Sequence, residues 1–579
     1  MLDIRIIFLL LLAFNINTVL SSSQQKVNDV YNGLYTKDVF SGYLDTDIKG
    51  TELFFVFLPS QSSPENDPII MWLTGGPLCS STFGAFEETG PAVFLPEETK
   101  LTINENAWNK NASVFYIDSP GGVGFSKLYD KNYTHSDENQ AVSLTIAIQN
   151  FFKLFPKYQN NTFYISGLSY AGTYIPHLVT QLFKYMEEHS DAIQLKLKGI
   201  LIGNPYIYEK IDYEDSMVEF AFSHGLISLE TFDSYLKECP HWPQVEKILK
   251  TYEEKDNYTF DPVVNKGIDA PTRNVTKACN AVRNGIKSQL NGIFMYGILG
   301  KCLPEDFNFT DPGEENKFYS EYNSFNKVIK RAINAKYRAY MYGDEYLQNN
   351  ENSENEDEKE KETDFSSWCG NDLYTGYYLN KNSTKEKLGV NLTMETSLCS
   401  DYPYKWGDSM YFFRDDIKNL NQKYNFTTWL YSGTEDMIVS ALSTLRVLKE
   451  LNYTIKDKWK KWIVDGQVVG MEQTYEHGLR FITVKGSGHM VVRDNRKISK
   501  ILLDKFIEFN EKDTPSGSET QPEDNNPNDG FPVWAIILIS VVSGLLIIVI
   551  IIIIILKIRK KNSSDDIEES GKLLKNYDN

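Results

Sequence analysis

Features typical of several common protein classes are absent from this chain. Its 579 residues contain no CxxC pair and no cluster of Cys and His with metal-ligand spacing, so no metal and no cofactor is expected. Basic residues are not in excess: 59 Lys and Arg stand against 78 Asp and Glu, and the formal charge is -19. Nucleic acid is therefore not expected as a partner, because its phosphates favour basic surfaces.

Charge is also missing from two apolar segments near the ends of the sequence. At the start, Arg5 precedes the apolar run Ile6 to Phe14, which is too short to span a bilayer, and small polar residues follow it. This layout predicts a secretory signal peptide in 1–22, cleaved near Ser21 to Ser23, rather than an anchor.

The second uncharged segment, 531–556, exceeds the about 20 residues that cross the hydrocarbon of a bilayer. It predicts a transmembrane helix rather than a buried core helix, and the basic residues after it predict a cytoplasmic tail at 557–579. We therefore expect a single-pass type I membrane protein, held by one C-terminal helix, with a lumenal or extracellular main domain. The tail segment Glu569–Leu574 either resembles a dileucine signal that binds a sorting adaptor, which favours the endolysosome, vacuole or Golgi, or is an accidental match.

The cysteines are few and far apart. A chain that enters an oxidising compartment is expected to pair its cysteines, so three disulfide bonds are predicted. Sequons such as the one at Asn111 agree with a glycosylated lumenal domain. The six cysteines are Cys79, Cys239, Cys279, Cys302, Cys369 and Cys399.

Short apolar runs recur between 23 and 510, and each ends in a turn that carries Gly or Asp. Such runs, alternating with helical stretches, predict an α/β fold with a mostly parallel central sheet and helices on both faces. Ligand sites in such folds form at the carboxyl ends of the strands, so these turns are where chemistry is expected. Two polar tracts interrupt the pattern and predict an exposed acidic loop at 348–364 and a flexible stalk at 511–530.

One turn has the sequence Gly167-Leu168-Ser169-Tyr170-Ala171-Gly172 between an apolar run and a helical stretch, which predicts a nucleophile elbow. A serine nucleophile needs a base and a carboxylate that orients the base. Two later turns supply Asp436 and then His489, in the chain order of α/β-hydrolases. Singly, Asp436 would be a helix N-cap and His489 a turn histidine, but the ordered set favours a catalytic triad.

Acyl transfer also needs two backbone N–H donors for the anionic intermediate. The glycine-rich turn that begins at Thr74 follows the apolar run 69–73 and permits close backbone approach, so this turn is predicted to supply one donor. Tyr170, the residue after the nucleophile, is the other.

Together these segments resemble the serine carboxypeptidase family of α/β-hydrolases. The resemblance implies that Gly76 is the oxyanion donor in the glycine-rich turn, and it implies a helical cap inserted at about 205–345. It also implies a disulfide between Cys79 and Cys399, leaving Cys239 with Cys279 and Cys302 with Cys369. The matching segments are Trp72–Ser81, Glu88–Pro91, Asp118–Ser126, Gly199–Asn204, Tyr378–Asn380 and the three triad turns.

The resemblance further implies that a substrate's terminal carboxylate binds at Thr74, Gly75, Glu88 and Leu168. Here the chain departs from the family, which has Asn and Glu at the positions of Thr74 and Leu168. The family's paired carboxyls donate hydrogen bonds when they are protonated, and Leu168 cannot donate. Leu78 also replaces a family glycine; if that position needs a positive φ, Leu78 is strained and the loop must differ.

Three functions are consistent with these residues. The triad favours a serine-type carboxypeptidase that removes C-terminal residues from peptide or protein substrates in the secretory or endolysosomal pathway. Thr74 and Leu168 favour an acyltransferase or esterase that uses the same triad. A non-catalytic membrane glycoprotein is the third, because a fold alone does not guarantee activity.

Overall fold

The computed structural model describes residues 22–27, 29–95, 100–130, 132–208, 215–239, 276–290, 292–300, 373–400 and 402–512. Every described residue belongs to one compact unit of the chain, Met1–Thr514. The predicted acidic loop 348–364, apolar segment 531–556 and tail 557–579 lie outside the described residues, as do nearly all of the signal peptide and stalk and much of the cap.

The described secondary structure alternates strands and helices, as the apolar runs predict. The strands are β1 (Ser23–Val27), β2 (Val39–Asp45), β3 (Glu52–Leu58), β4 (Ile69–Leu73), β5 (Ala92–Phe94), β6 (Leu101–Ile103), β7 (Ser113–Ile117), β8 (His135–Ser136), β9 (Thr162–Leu168), β10 (Lys196–Gly203), β11 (Tyr404–Lys405), β12 (Thr427–Gly433), β13 (Ile455–Val464), β14 (Gln467–Tyr475) and β15 (Leu479–Val484). The α-helices are α1 (Thr82–Glu87), α2 (Asp137–Leu154), α3 (Ala171–Glu188), α4 (Asp215–Ser223), α5 (Leu229–Glu238), α6 (Lys277–Leu290), α7 (Leu373–Asn380), α8 (Asn382–Leu388), α9 (Ile417–Tyr424), α10 (Ala441–Glu450), α11 (Val491–Asp494) and α12 (Arg496–Lys512).

Eleven of these strands form one sheet, in the order β1-β2-β3-β7-β4-β9-β10-β12-β15-β14-β13. The neighbours from β7 to β15 in that order pair in parallel. Antiparallel strands complete both edges of the sheet. The predicted α/β class, with a mostly parallel central sheet, is confirmed.

Alternate residues of the central strands enter two separate cores, because successive side chains point to opposite faces of a sheet. In β3, Phe55 and Phe57 belong to the core that includes side chains of α2 and α3, whereas Phe54 and Val56 belong to the core that includes side chains of α1 and α12. All four side chains are fully buried. A strand that is apolar at every position therefore has to be covered by helices on both sides.

Part of the predicted cap insertion is described. Helices α4, α5 and α6 share a small core of their own, which includes Val218, Tyr235 and Ile286. Met437, directly after Asp436 in the sequence, belongs to the same core. The cap core therefore rests on the loop that carries the predicted triad aspartate.

The predicted localisation needs a correction. Within the part of the chain that the structure describes, no helix is both long and apolar enough to cross a membrane. The long helices α2 and α3 bury one face and carry charges elsewhere, as helices that cover a sheet do. The prediction of a single-pass type I membrane protein, and with it the membrane partner, has no support in this structure and is withdrawn; the segment on which it rested, 531–556, lies outside the described residues.

Phe151 offers a test of the core beneath α2. Its ring stacks on Phe115 with 4.1 Å between centroids and meets the edges of Phe55 and Phe57. We predict that Phe151→Ala lowers the free energy of unfolding by about 3–5 kcal/mol, because it leaves a cavity between helix and sheet. Urea denaturation followed by tryptophan fluorescence measures the change.

Tyr129→Ala is the control, since that side chain is 84% exposed and its loss should change the free energy of unfolding by less than about 0.5 kcal/mol. Similar small changes for both variants would contradict the packing described here.

Candidate active site

Ser169 lies in the turn between β9 and α3, with a φ of +63° in the left-handed region. Small neighbours make this turn possible: a Cβ on Gly167 would lie 2.4 Å from the Leu73 carbonyl oxygen, and one on Gly172 would lie 2.6 Å from that of Tyr206. The Ser169 N–H donates to the Gly203 carbonyl over 2.9 Å. The backbone therefore has the shape of the predicted elbow and is fixed to the end of β10.

Asp436 and His489 form a buried pair at the ends of β12 and β15. The distance from His489 Nδ1 to Asp436 Oδ2 is 2.7 Å, and the two side chains are 3% and 0% exposed. A carboxylate accepts hydrogen bonds, so Nδ1 carries the proton and Nε2 is left free to accept one. This is the tautomer that a serine hydroxyl requires of its base.

Asp436 also accepts the backbone N–H groups of Ile438 and Val439, at 2.9 and 3.2 Å from Oδ1. The bond pattern of an N-cap and the contact with histidine therefore occur in the same carboxylate. Its two oxygens are divided between these tasks, Oδ1 for the backbone and Oδ2 for the ring. This division fixes the plane of the carboxylate.

Asn204 also bonds to Asp436, and the sequence predicted no role for it. Its side-chain Nδ2 donates to Asp436 Oδ2 over 2.7 Å, and its Oδ1 accepts the Gly433 N–H at 3.2 Å. Asn204 is fully buried and adopts a φ of +40° at the end of β10, between β9 and β12. The signal that could have found it is a polar residue at the carboxyl end of a central strand.

Ser169, Asp436 and His489 lie at the carboxyl ends of β9, β12 and β15, which share one edge of the sheet. Among the described residues, the Ser169 hydroxyl makes no hydrogen bond, so it is not hydrogen-bonded to the imidazole in this conformation. Catalytic hydrogen bonds are often long before substrate binds. The structure brings aspartate and histidine together and leaves the serine step as a proposal.

The segment around Tyr296, which the sequence assigned only to the cap, covers the histidine. The backbone N–H of His489 donates to the Tyr296 carbonyl over 2.6 Å, and the two rings meet edge to face with centroids 5.0 Å apart. The Met437 N–H donates to the Met295 carbonyl, and the Ile298 N–H donates to the Glu435 carbonyl. Burial raises the pKa of Tyr296 to about 12, with the Asp436 charge adding to the shift.

Gly76 lies in an exposed part of the loop after β4, with a φ of +114°. Leu78 has a φ of +72°, a strained conformation for a residue with a side chain, so the strain expected from the sequence is present in this loop. The loop is tied on one side by the disulfide from Cys79 to Cys399. A Cβ on Gly75 would lie 2.6 Å from that of Ser169, so this glycine allows loop and elbow to meet.

Two of the three expected disulfides are described. Cys79 bonds to Cys399 across 320 residues, and Cys239 bonds to Cys279 within the cap. Cys302 and Cys369 lie outside the described residues, so their pairing stays a prediction.

Of the four residues predicted to bind substrate, Gly75 lies against Leu168, since a Cβ on Gly75 would lie 2.6 Å from the Leu168 carbonyl oxygen. Leu168 is buried beside the elbow, and Thr74 Oγ1 accepts the Trp72 indole N–H at 3.3 Å. A Cβ on Gly84 would lie 2.7 Å from that indole nitrogen and 2.8 Å from Glu88 Oε2. Trp72 therefore stands between Thr74 and Glu88.

Glu88 is buried in a charged cluster behind this loop. Burial raises the pKa of Glu88 to about 7, while the positive charges of Arg493 and Arg496 lower it. The Arg496 Nη2 donates to the Glu87 carbonyl over 2.8 Å, at the end of α1. A hydrogen bond with the Trp72 indole lowers the same pKa.

The described residues contain no group of three or more His, Cys, Asp or Glu side chains placed to hold a metal ion.

The family comparison agrees with this site. The serine carboxypeptidase family matches residues 32–509. Serine carboxypeptidase-like 26 of Oryza sativa subsp. japonica is 30% identical over 484 residues, which cover 81% of this chain and 86% of that protein. Serine carboxypeptidase 1 of Hordeum vulgare is 28% identical over 491 residues, covering 80% and 87%. The chain therefore belongs to the serine carboxypeptidase family.

Among solved structures, the crystal structure of Kex1(delta)p, a prohormone-processing carboxypeptidase from Saccharomyces cerevisiae, is similar to this chain with a TM-score of 0.59. The match covers 84% of this chain and 95% of that chain at 19% identity, so it shows the fold alone. The predicted α/β-hydrolase fold is thereby confirmed. The family membership also confirms the prediction of an enzyme, a hydrolase of serine carboxypeptidase type.

Asn204 can be tested through the reactivity of Ser169. We predict that Asn204→Ala slows labelling of Ser169 by a fluorophosphonate about tenfold or more, because Asp436 loses a hydrogen bond worth about 1.5–3 kcal/mol. In-gel fluorescence over time measures the rate. Asn510→Ala, at a buried asparagine on α12 that bonds to Thr427, is the control and should leave the rate unchanged. Equal rates in both variants would show that Asn204 does not hold Asp436.

Proposed function

We propose that this protein is a serine-type carboxypeptidase that removes C-terminal residues from peptides or proteins. The observation that carries the proposal is the buried pair of Asp436 and His489, 2.7 Å apart, at the sheet edge where the Ser169 elbow also lies. A histidine held in one tautomer by a carboxylate is the base that a serine nucleophile needs.

The proposed reaction begins with attack of Ser169 Oγ on the carbonyl carbon of the last peptide bond. His489 Nε2 takes the hydroxyl proton, while Asp436 stabilises the positive charge on the ring. The N–H groups of Gly76 and Tyr170 bind the oxyanion of the tetrahedral intermediate. The C–N bond then breaks, the leaving amine takes the proton from His489, and water releases the acyl group from the serine by the same steps.

Recognition of the substrate carboxylate is assigned to Glu88 together with the loop of Thr74 and Gly75. A protonated carboxyl donates a hydrogen bond to a carboxylate, and the pKa of about 7 keeps Glu88 protonated in acid. Gly75 supports this role because its backbone lies close to the Ser169 side chain. Thr74 supports it because its hydroxyl accepts a hydrogen bond from the Trp72 indole, which also lies beside Glu88.

Leu168 supports a second candidate function. Its apolar side chain is buried beside the elbow and gives no hydrogen bond to a carboxylate. An esterase or acyltransferase, whose substrate has no free carboxylate at this point, would use the same triad without that donor. The two functions differ in whether turnover depends on a free C-terminal carboxylate.

The nucleophile is tested directly by labelling. We predict that a fluorophosphonate labels the purified protein at Ser169, located by peptide mass spectrometry, and that Ser169→Ala abolishes labelling and lowers kcat about 10⁴-fold or more. The folding of the variant is checked by its melting temperature. A folded wild-type protein that takes up no label would exclude both enzymatic functions and favour the non-catalytic alternative.

The pH dependence tests Glu88. Since the pKa of Glu88 is raised to about 7, the protonated form that donates to a carboxylate is lost as the pH rises through 7. We predict that kcat/KM for a peptide with a free C-terminus falls above pH 7 in the wild type and not in Glu88→Gln, whose amide donates at every pH.

The same peptide with a C-terminal amide is the control, and its profile should be the same in both proteins. Equal turnover of acid and amide by the wild type would rule out a carboxylate-dependent exopeptidase and favour the second candidate.

A further inference from the structure

One segment that carries no triad residue contacts both the loop of Gly76 and the turn of Tyr170, the two predicted oxyanion donors. We call residues 398–400 and 402–409 the strap; Asp401, between them, lies outside the described residues. Its first part contacts the loop of Gly76, and its second part contacts the elbow that carries Tyr170.

The first part of the strap is tied to the Gly76 loop at three places. Cys399 forms the disulfide with Cys79. On either side of it, the Ser80 N–H donates to the Leu398 carbonyl over 2.6 Å, and the Ser400 N–H donates to the Leu78 carbonyl over 2.9 Å. These bonds flank Leu78, the strained residue of the loop, and hold it at a positive φ.

The second part of the strap surrounds Tyr170 and the start of α3. The Gly407 N–H donates to the Tyr170 hydroxyl over 3.1 Å, and the Trp406 ring meets the Tyr170 ring edge to face at 4.7 Å. The Ser409 hydroxyl donates to the Gly172 carbonyl over 2.6 Å. Tyr170 is thereby fixed through its side chain as well as through its backbone.

Asp137 joins these groups. It is 1% exposed, at the start of α2, and it accepts the Tyr170 hydroxyl at Oδ2 over 3.1 Å and the Tyr404 hydroxyl at Oδ1 over 2.8 Å. Tyr404 also lies 2.8 Å from Gln140 Oε1. A Cβ on Gly407 would lie 2.5 Å from Asp137 Oδ2, so any side chain there would displace this carboxylate oxygen.

Asp137 is a buried acidic group that the proposed reaction does not use. Burial raises the pKa of Asp137 to about 6, while His177 and the Tyr404 hydroxyl lower it. At neutral pH the carboxylate is therefore ionised and accepts both phenol protons, which makes these hydrogen bonds charge-assisted.

We propose that the strap, anchored by Asp137, holds Gly76 and Tyr170 in register as one oxyanion hole, with Asp137, Tyr404 and the Cys79–Cys399 disulfide as positioning groups. The inference rests on the proposed function for the role of the two N–H groups. The physical reason is that an oxyanion hole acts only when both donors lie about 2.7–3.1 Å from the developing charge. One donor lies in a strained loop and the other in a tight turn, and the strap is bonded to both.

A double-mutant cycle tests the coupling through kinetics. Asp137→Asn alters one end of the strap, and Cys79→Ser with Cys399→Ser opens the other. We expect each change to lower kcat about 10- to 100-fold with little change in KM, and the combination to be no worse than the stronger change, because either break releases the same unit. Effects on kcat that multiply, or a lower melting temperature with unchanged kcat, would overturn the proposal.

Tyr404→Phe replaces this test if the variants in which cysteine is changed to serine do not fold, because it removes one hydroxyl and keeps the ring. It should lower kcat and not KM. Tyr453→Phe is matched to it, since the Tyr453 hydroxyl donates to the Phe413 carbonyl away from the site, and should leave kcat unchanged. Equal kcat values in the two variants would count against the strap.

Hydrogen exchange tests the strap without any turnover, so its result is distinct from failure of the proposed function. The hydrogen bonds recorded for Asp137 run to Tyr170 and Tyr404, on the side of the elbow. In Asp137→Asn, measured by mass spectrometry, we expect faster amide exchange in residues 74–81, the loop that is bonded to the other end of the strap. Unchanged exchange there, with faster exchange confined to the elbow, would overturn the proposal even if the enzyme is active.

Discussion

The hydrogen bond between His489 and Asp436 is the contact around which the rest of the site is arranged. It joins the ends of β12 and β15 at 2.7 Å, and both side chains are shielded from water. Removing either partner of this buried hydrogen bond leaves the other polar group unsatisfied, so the surroundings have to support the pair as a unit. Asn204, the two backbone N–H groups at Asp436 and the ring of Tyr296 provide that support from three separate segments.

The oxyanion side of the site obtains its rigidity in a different way. Leu78 adopts a positive φ that leucine disfavours, and such strain persists only where neighbouring structure holds it. The disulfide and the two flanking hydrogen bonds of the strap supply this restraint. The same segment contacts Tyr170, so a single stretch of chain reaches both sides of the place where charge would develop.

The substrate side shows how a family site changes when one donor is lost. With Leu168 beside the elbow, the carboxyl that the family has at this position is missing, and Glu88 lies among Trp72, Arg493, Arg496 and Asp494. Burial and positive charge act on it in opposite directions, and burial prevails, which leaves its pKa near neutrality. Family membership alone therefore does not fix the substrate, because the residues that would read the C-terminus are the ones that differ.

The sequence by itself determined the α/β class, the family and the turns in which Ser169, Asp436 and His489 lie. It could do so because parallel strands place their carboxyl ends at one edge, and because an elbow and a glycine-rich loop have local residue requirements. Only the tertiary structure decided which distant side chains surround them: Asn204 at Asp436, Tyr296 over His489, and Asp137 under Tyr170. The reason is that these contacts join segments far apart in the chain, and their existence depends on strand order, loop path and packing, which no local pattern encodes.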